Sequence, residues 1–224
     1  KTLSATIQLP TQISTSSAIE LQPGNPYRLQ LTQAASGFSN REVFGTAPIV
    51  TVEDVSGNTV PTPGMEIRVK VSTASISGSV TTSAQTGVAT FASNLVLRGT
   101  AGSHTLVYEA EGTSSSGVIS TSQVITLNHG AASQLVITTA ISNALSGVDF
   151  GTQPRVELRD PEGNRVSTSN QATATVEVSY SGAVWDVQTK QGVTLTGTRA
   201  ISLSAGIGQF SGLRLSGVAG NYAL

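Results

Sequence analysis

The chain contains no cysteine, one tryptophan and one methionine, and only 4% of its residues are aromatic. Without cysteine there is no disulfide framework, no thiol chemistry and no Cys-ligated metal. An extracellular home stays open, because domains of about 100 residues build cores without crosslinks. Charge is scarce as well: 11% of residues are charged, against about 25% in an ordinary globular domain. Twelve Lys and Arg stand against 13 Asp and Glu, for a net charge of −1. With no basic excess and no basic cluster there is little to neutralise phosphates, so nucleic acid is not expected as a partner. No apolar run approaches the ~20 residues of a bilayer-spanning helix, and no signal-peptide pattern opens the sequence.

What is present is Ser and Thr, about a quarter of the 224 residues, with 23 Gly and a 38% hydrophobic fraction rich in Val, Ile and Leu. That is apolar material for one or two domains. A surface short of Lys and Glu but crowded with Ser and Thr suits an extracellular or cell-surface protein.

The sequence repeats. Residues 13–63 align with 119–169 without a gap at an offset of 106, with about 21 identities in 51 positions. Ile13-Ser14-Thr15-Ser16 returns as Ile119-Ser120-Thr121-Ser122, and Phe44-Gly45-Thr46-Ala47-Pro48 as Phe150-Gly151-Thr152-Gln153-Pro154. Leu95-Val96-Leu97-Arg98-Gly99-Thr100-Ala101-Gly102 matches Leu213-Arg214-Leu215-Ser216-Gly217-Val218-Ala219-Gly220 at offset 118, so the second copy carries about 12 extra residues within 179–205. A fixed period of this size marks a modular array.

The hydrophobic period is two. Arg155-Val156-Glu157-Leu158-Arg159 alternates, Val50 and Val52 keep its inward positions, and Ile67, Val69 and Val71, then Val176 and Val178, repeat the pattern. Alternation of this kind gives strands with one buried face. Leu29 and Leu31, Leu135 and Ile137, Leu95 and Leu97, and Leu213 and Leu215 are further expected inward pairs. Asp54-x-x-Gly57-Asn58 and Asp160-x-x-Gly163-Asn164 supply turn chemistry, since Asp and Asn bond nearby backbone and Gly accepts positive φ. Short strands at this spacing predict an all-β protein of two tandem immunoglobulin-like β-sandwich domains. In the complete copy, 28–127, strand A is expected at 28–34, B at 48–54, C at 65–72, a short D within 73–86, E at 88–97, F at 103–110 and G at 118–127. The second copy, 133–224, has A at 134–140, B at 154–160, C at 172–180, E at 206–215 and the opening of F at 221–224.

The pattern Phe-Gly-Thr-Gln-Pro-x-Val-x-Leu-x-Asp-x-x-Gly-Asn-x-Val, with Gly-x-x-x-Phe-x-x-Leu and Ala-Gly-x-Tyr after it, resembles the tandem immunoglobulin-like repeats of large microbial surface and extracellular proteins. The resemblance spans both copies and implies the fold; such repeats serve as spacers, stalks and adhesive modules alike. It places Tyr222 where a tyrosine corner opens strand F, with His104 in its stead in the first copy.

The two offsets sum to the chain length, so both ends of the sequence fall at one point of the repeat, within strand F. Residues 1–21 correspond to the end of F and all of G, the parts 133–224 lacks. Residues 1–21 are therefore expected to complete the second domain of a neighbouring copy head to tail, through Leu3, Ile7, Ile13, Ile19 and Leu21. The alternative is a continuing chain whose next repeat follows Leu224. Either way the chain is a building block of an extracellular fibre, and its partners are other copies of itself.

No catalytic residue and no cofactor site is assigned. His104 and His129 stand outside the repeat, and no Ser lies in Gly-x-Ser-x-Gly or beside a positioned base. Asp54 and Asn58, with Asp160, Glu162 and Asn164, gather oxygen ligands of the kind calcium takes, though a β-turn accounts for the same residues. Trp185 lies in the extra segment 181–198 and supports an alternative reading, an adhesin or carbohydrate-binding module that stacks this ring on a sugar. Thr73–Thr86 and Thr113–Ser122 are candidates for O-linked glycans; no N-glycosylation sequon occurs.

Overall fold

A computed structural model of the chain describes residues 2–7, 13–111, 118–168, 173–175, 179–180, 193–220 and 222–223. Among them there is no helix, and so none long and apolar enough to cross a membrane. The protein is all-β, made of several antiparallel sheets, consistent with a β-sandwich.

The chain divides into two compact units: 1–37, 43–95 and 104–125 form one, and 38–42, 96–103 and 126–224 the other. At the start, β1 (Thr2–Ile7) and β2 (Ile13–Ala18) pair as an antiparallel hairpin from Thr2↔Ala18 to Ile7↔Ile13. Next come β3 (Arg28–Gln33), β4 (Ile49–Glu53), β5 (Glu66–Val71), β6 (Ser75–Ser77), β7 (Thr81–Ser83) and β8 (Val88–Thr90). They are followed by β9 (Val96–Arg98), β10 (Gly102–Glu111) and β11 (Ser120–Leu127). One sheet has the order β3-β4-β8 and another β11-β10-β5-β7. Alternation places Val50, Val52, Ile67, Val69, Leu106 and Tyr108 in the core, each 0–1% exposed. Burying side chains of this size stabilises by roughly 1.5–3 kcal/mol apiece. Phe91 meets Tyr108 edge-on, centroids 5.8 Å apart.

The second unit repeats these elements as β12 (Gln134–Thr139), β13 (Arg155–Arg159), β14 (Thr173–Thr175), β15 (Ser179–Tyr180), β16 (Thr194–Thr196), β17 (Ala200–Ser202), β18 (Ile207–Gln209), β19 (Arg214–Ser216) and β20 (Tyr222–Ala223). Its sheets are β12-β13-β18, β14-β17, β15-β20 and β16-β19. Phe150, Val156, Ala174, Leu195, Leu203, Phe210 and Leu213 form its core.

Three expectations are revised. The strand expected at 206–215 is two strands, β18 on β13 and β19 on β16, and 88–97 likewise divides into β8 and β9. In each copy the run crosses between sheets, with Phe91 and Leu95, or Phe210 and Leu213, buried on either side of a turn. The D region holds two short strands, β6 and β7. Leu135 and Ile137, expected inward, are 51% and 56% exposed, whereas Leu29 at the same repeat position as Leu135 is 4% exposed. Among the described residues, 133–224 has no counterpart of β11, and its counterpart of β10 is the two-residue β20. Val176, Val178 and Leu224 lie outside the described residues.

Candidate functional site

The Asp-x-x-Gly-Asn segments fold alike in both units. Asp54 N–H donates to Asn58 O at 3.0 Å and Gly57 N–H to Asp54 O at 3.1 Å; the second copy gives 2.9 Å and 3.0 Å for Asp160–Asn164 and Gly163–Asp160. Gly57 and Gly163 hold φ of 84° and 83°, a left-handed backbone that strains any residue with a Cβ. The Asp carboxylate closes the turn from inside. Asp54 Oδ1 accepts from the Ser56 and Asn58 N–H groups at 2.9 Å, and Oδ2 accepts from Asn58 Nδ2 at 2.9 Å. Asp160 does the same with Glu162 N–H, Asn164 N–H and Asn164 Nδ2.

Each carboxylate also reaches the segment leading into its own unit. Gly24 N–H donates to Asp54 Oδ2 and Gly130 N–H to Asp160 Oδ2, both at 2.8 Å. The next rung repeats too: Tyr27 N–H to Glu53 O and Ser133 N–H to Arg159 O, both at 2.8 Å. A carboxylate accepting several N–H bonds is held ionised. Asp54 is lowered from 3.8 to about 2, first by the Asn58 side chain and then by the Gly24 N–H. At Asp160 burial pushes the pKa up, but the bonds from Gly130, Asn164 and Glu162 outweigh it and the net direction is down.

Beyond this shared frame the two turns differ. In the second unit Asn164 Nδ2 donates to Gly99 O at 2.9 Å, and Ala101 N–H donates to Asn164 Oδ1 at 2.7 Å. Gly99 is itself gripped by Asn40, whose Oδ1 accepts Gly99 N–H at 2.8 Å and whose Nδ2 donates to Gly99 O at 2.9 Å. Arg41 Nε donates to both oxygens of Glu162 at 2.9 Å. Asn128 N–H donates to Phe38 O at 2.9 Å, and Asn40 N–H to Asn128 O at 3.1 Å. All these residues belong to the second compact unit. They form a clasp: a turn, a lead-in segment and two loops locked by amide and backbone bonds. Among the described residues nothing covers the first unit's turn in this way, and Val55, Ser56, Gly57 and Asn58 are all exposed.

No protein family and no curated protein matches this chain. Among solved structures, a Parabacteroides merdae beta-glucuronidase aligns at 14% identity over 86% of this chain and 22% of its own, with a TM-score of 0.22. The same enzyme with glycerol in its active site aligns at 15% identity over 80% and 20%, also at TM-score 0.22. Apo Bacteroides uniformis beta-glucuronidase 3 aligns at 14% identity over 87% and 25%, again at TM-score 0.22. The chain thus spans a quarter or less of these proteins' length, and likeness at that TM-score carries no argument.

The residues singled out by sequence fall into three places. Asp54 and Asn58, and Asp160, Glu162 and Asn164, sit in the two turns, where the Asp carboxylates are engaged by N–H donors. Leu3, Ile19 and Leu21 are 63%, 45% and 72% exposed, and Ile7 and Ile13 are register partners in the β1–β2 pair. Trp185 lies outside the described residues, as does 113–117 of the Thr113–Ser122 stretch. His104 is buried with its Nδ1 2.7 Å from Thr73 Oγ1. Tyr222 donates its hydroxyl proton to Val218 O at 2.7 Å. Sequence reasoning missed Gly24, Gly130, Asn40, Gly99 and Ala101. The identity of Gly24 with Gly130 at offset 106 was the available signal.

Proposed function

We propose that this chain is a structural, non-catalytic building block of an extracellular or cell-surface fibre, with immunoglobulin-like modules joined head to tail by strand complementation. The complementing segment is the β1–β2 hairpin and Ile19–Leu21, supplied by a neighbouring copy or by continuing chain, and the receiving module is 133–224. One observation carries the reading. In the first copy Ile125 and Leu127 of β11 are 4% and 1% exposed, and Leu29 of β3 is 4% exposed. Their repeat equivalents are all uncovered: Ile19 at 45%, Leu21 at 72% and Leu135 at 51%. The apolar residues of a G strand and the face such a strand covers are thus both open to solvent, and each is the remedy for the other.

Strand addition supplies backbone hydrogen bonds for affinity and alternate side chains for specificity. Covering Ile19, Leu21, Leu135 and Ile137, each 45–72% exposed, at roughly 1.5–3 kcal/mol per fully exposed side chain gives a gross term of about 3–7 kcal/mol, before association costs. A heterologous contact of this kind does not close on itself, so its repetition gives a filament unless the rotation closes a ring. The test is electron microscopy and sedimentation of the chain beside an Ile19→Asp/Leu21→Asp variant. Filaments or concentration-dependent oligomers that vanish in the variant are expected. A wild-type chain that stays monomeric at every concentration, or a variant that assembles undiminished, overturns the proposal.

A further inference from the structure

The clasp of the second unit is one complete instance of a recurring contact, and the two separate sides of a further instance are exposed on this chain. At repeat offset 118, Gly99 and Ala101 become Gly217 and Ala219; at offset 106, Asn40 becomes Ser146, Phe38 becomes Ala144, Asn128 becomes Gln22 and Asn164 becomes Asn58. The receiving side is preformed. Ser146 Oγ accepts Gly217 N–H at 3.0 Å and donates to Gly217 O at 3.1 Å, reproducing the grip of Asn40 on Gly99. Gly147 N–H donates to Leu215 O at 2.7 Å as Arg41 N–H does to Leu97 O at 3.0 Å. Beside this grip lies a half-open cavity of roughly 260 Å³ bounded by Ala144, Leu145, Ser146, Gly217 and Val218.

The inserting side is preformed as well. Gly24 N–H is already bonded to Asp54, and the turn of Asn58 has the hydrogen bonds of its Asn164 counterpart. Burial marks what is missing. Gly130 is buried, and a Cβ there would lie 2.6 Å from Asn40 O; Gly24 is exposed, and a Cβ there would meet only Asp54, at 3.4 Å or more.

We propose that the cavity beside Ser146 and Gly217 receives residues 22–24 and the Asp54–Asn58 turn of a second copy of this chain. Gln22 takes the place of Asn128 between Ala144 O and Ser146 N–H. Asn58 Nδ2 donates to Gly217 O, and Asn58 Oδ1 accepts Ala219 N–H. Arg41 and Glu162 have no equivalent pair here, because Gly147 and Ser56 stand at their positions; both partners of that ion pair are replaced together. The inference rests on the head-to-tail reading above and adds a second contact to it, one that fixes the angle between successive copies.

Gly24→Ala is the decisive variant, because its methyl group fits the free chain and collides with the Ser146 carbonyl only on docking. Association measured by sedimentation should weaken by about tenfold or more. Hydrogen exchange at the Ala219 amide should slow on assembly of the wild type and stay fast in Asn58→Ala. Installing the missing ion pair with Ser56→Glu and Gly147→Arg should tighten association by about two- to fivefold at low salt. If Ile19→Asp/Leu21→Asp dissociates the copies while Gly24→Ala assembles as the wild type does and the Ala219 amide never becomes protected, the clasp is wrong and the fibre reading stands. A wild-type chain that never associates overturns both.

Discussion

Gly24 and Gly130 occupy one repeat position, share one hydrogen bond and should answer the same substitution with opposite sign. Neither has a left-handed backbone, so alanine is conformationally allowed at both and restricts the unfolded chain, a gain of about 0.4–1 kcal/mol. At Gly24 the added Cβ meets Asp54 Oδ2 at 3.4 Å, an ordinary van der Waals contact, so the gain survives. At Gly130 the Cβ falls 2.6 Å from Asn40 O and 3.2 Å from Asn40 Cβ. Asn40 cannot step aside: it is 1% exposed and bonded through both side-chain atoms to Gly99. Overpacking against a fixed neighbour costs about 1–3 kcal/mol, which leaves Gly130→Ala destabilised by about 1–2 kcal/mol and separates the two variants by roughly 2 kcal/mol. Urea unfolding at concentrations low enough to keep the chain monomeric, followed by far-UV circular dichroism and by hydrogen exchange, reads the two units separately. A neutral Gly130→Ala, or an equal loss at both positions, refutes the account of the clasp as a tight backbone contact.

Leu213→Ala empties a fully buried position in the second core and should cost about 2–5 kcal/mol; faster exchange in 133–224 with 43–95 unchanged is the expected pattern. Acid should act through the two turns. A carboxylate lowered on folding stabilises above its unfolded pKa and loses that contribution as pH falls through the folded value. With Asp54 lowered from 3.8 to about 2 and Asp160 shifted in the same direction, protection of the Gly24 and Gly130 amides should be flat through neutral pH. It should fall below the carboxylates' ordinary value of 3.8. Loss of that protection well above this value, seen by NMR, would separate the turns from their carboxylates.

Strand alternation made the sheets legible, because Ile67 and Val69 are buried and alternate with exposed Glu66, Arg68 and Lys70 as a period of two requires, and Val50 and Val52 are buried too. It misled at Leu135 and Ile137 for a physical reason. Period two says that a residue shares a face with its neighbours two along; it does not say that anything lies against that face. Leu29 and Leu135 carry the same local pattern and differ in exposure, 4% against 51%. The single strand expected at 206–215 hid a sheet crossing as well, since Phe210 and Leu213 are both buried and a buried position does not register the change of partner.

The turn chemistry of Asp54 and Asp160 was readable, but the clasp around it was not, and the difference lies in which atoms do the work. Asp and Asn announce a turn by side-chain type. Gly99 and Ala101 take part through a carbonyl and an N–H that every such residue carries, and Gly130 takes part by having no side chain at all. Such positions become visible only when the repeat offsets are laid over the hydrogen bonds, so that Asn40 on Gly99 is seen again as Ser146 on Gly217. The substitutions that accompany the offset then acquire a meaning. Arg41 with Glu162 is an exposed ion pair of modest worth, and its joint replacement by Gly147 and Ser56 leaves the amide and backbone bonds as the common element. A contact that keeps its backbone bonds while exchanging its charges specifies geometry first and partner second, which is the property a repeating array needs at every junction.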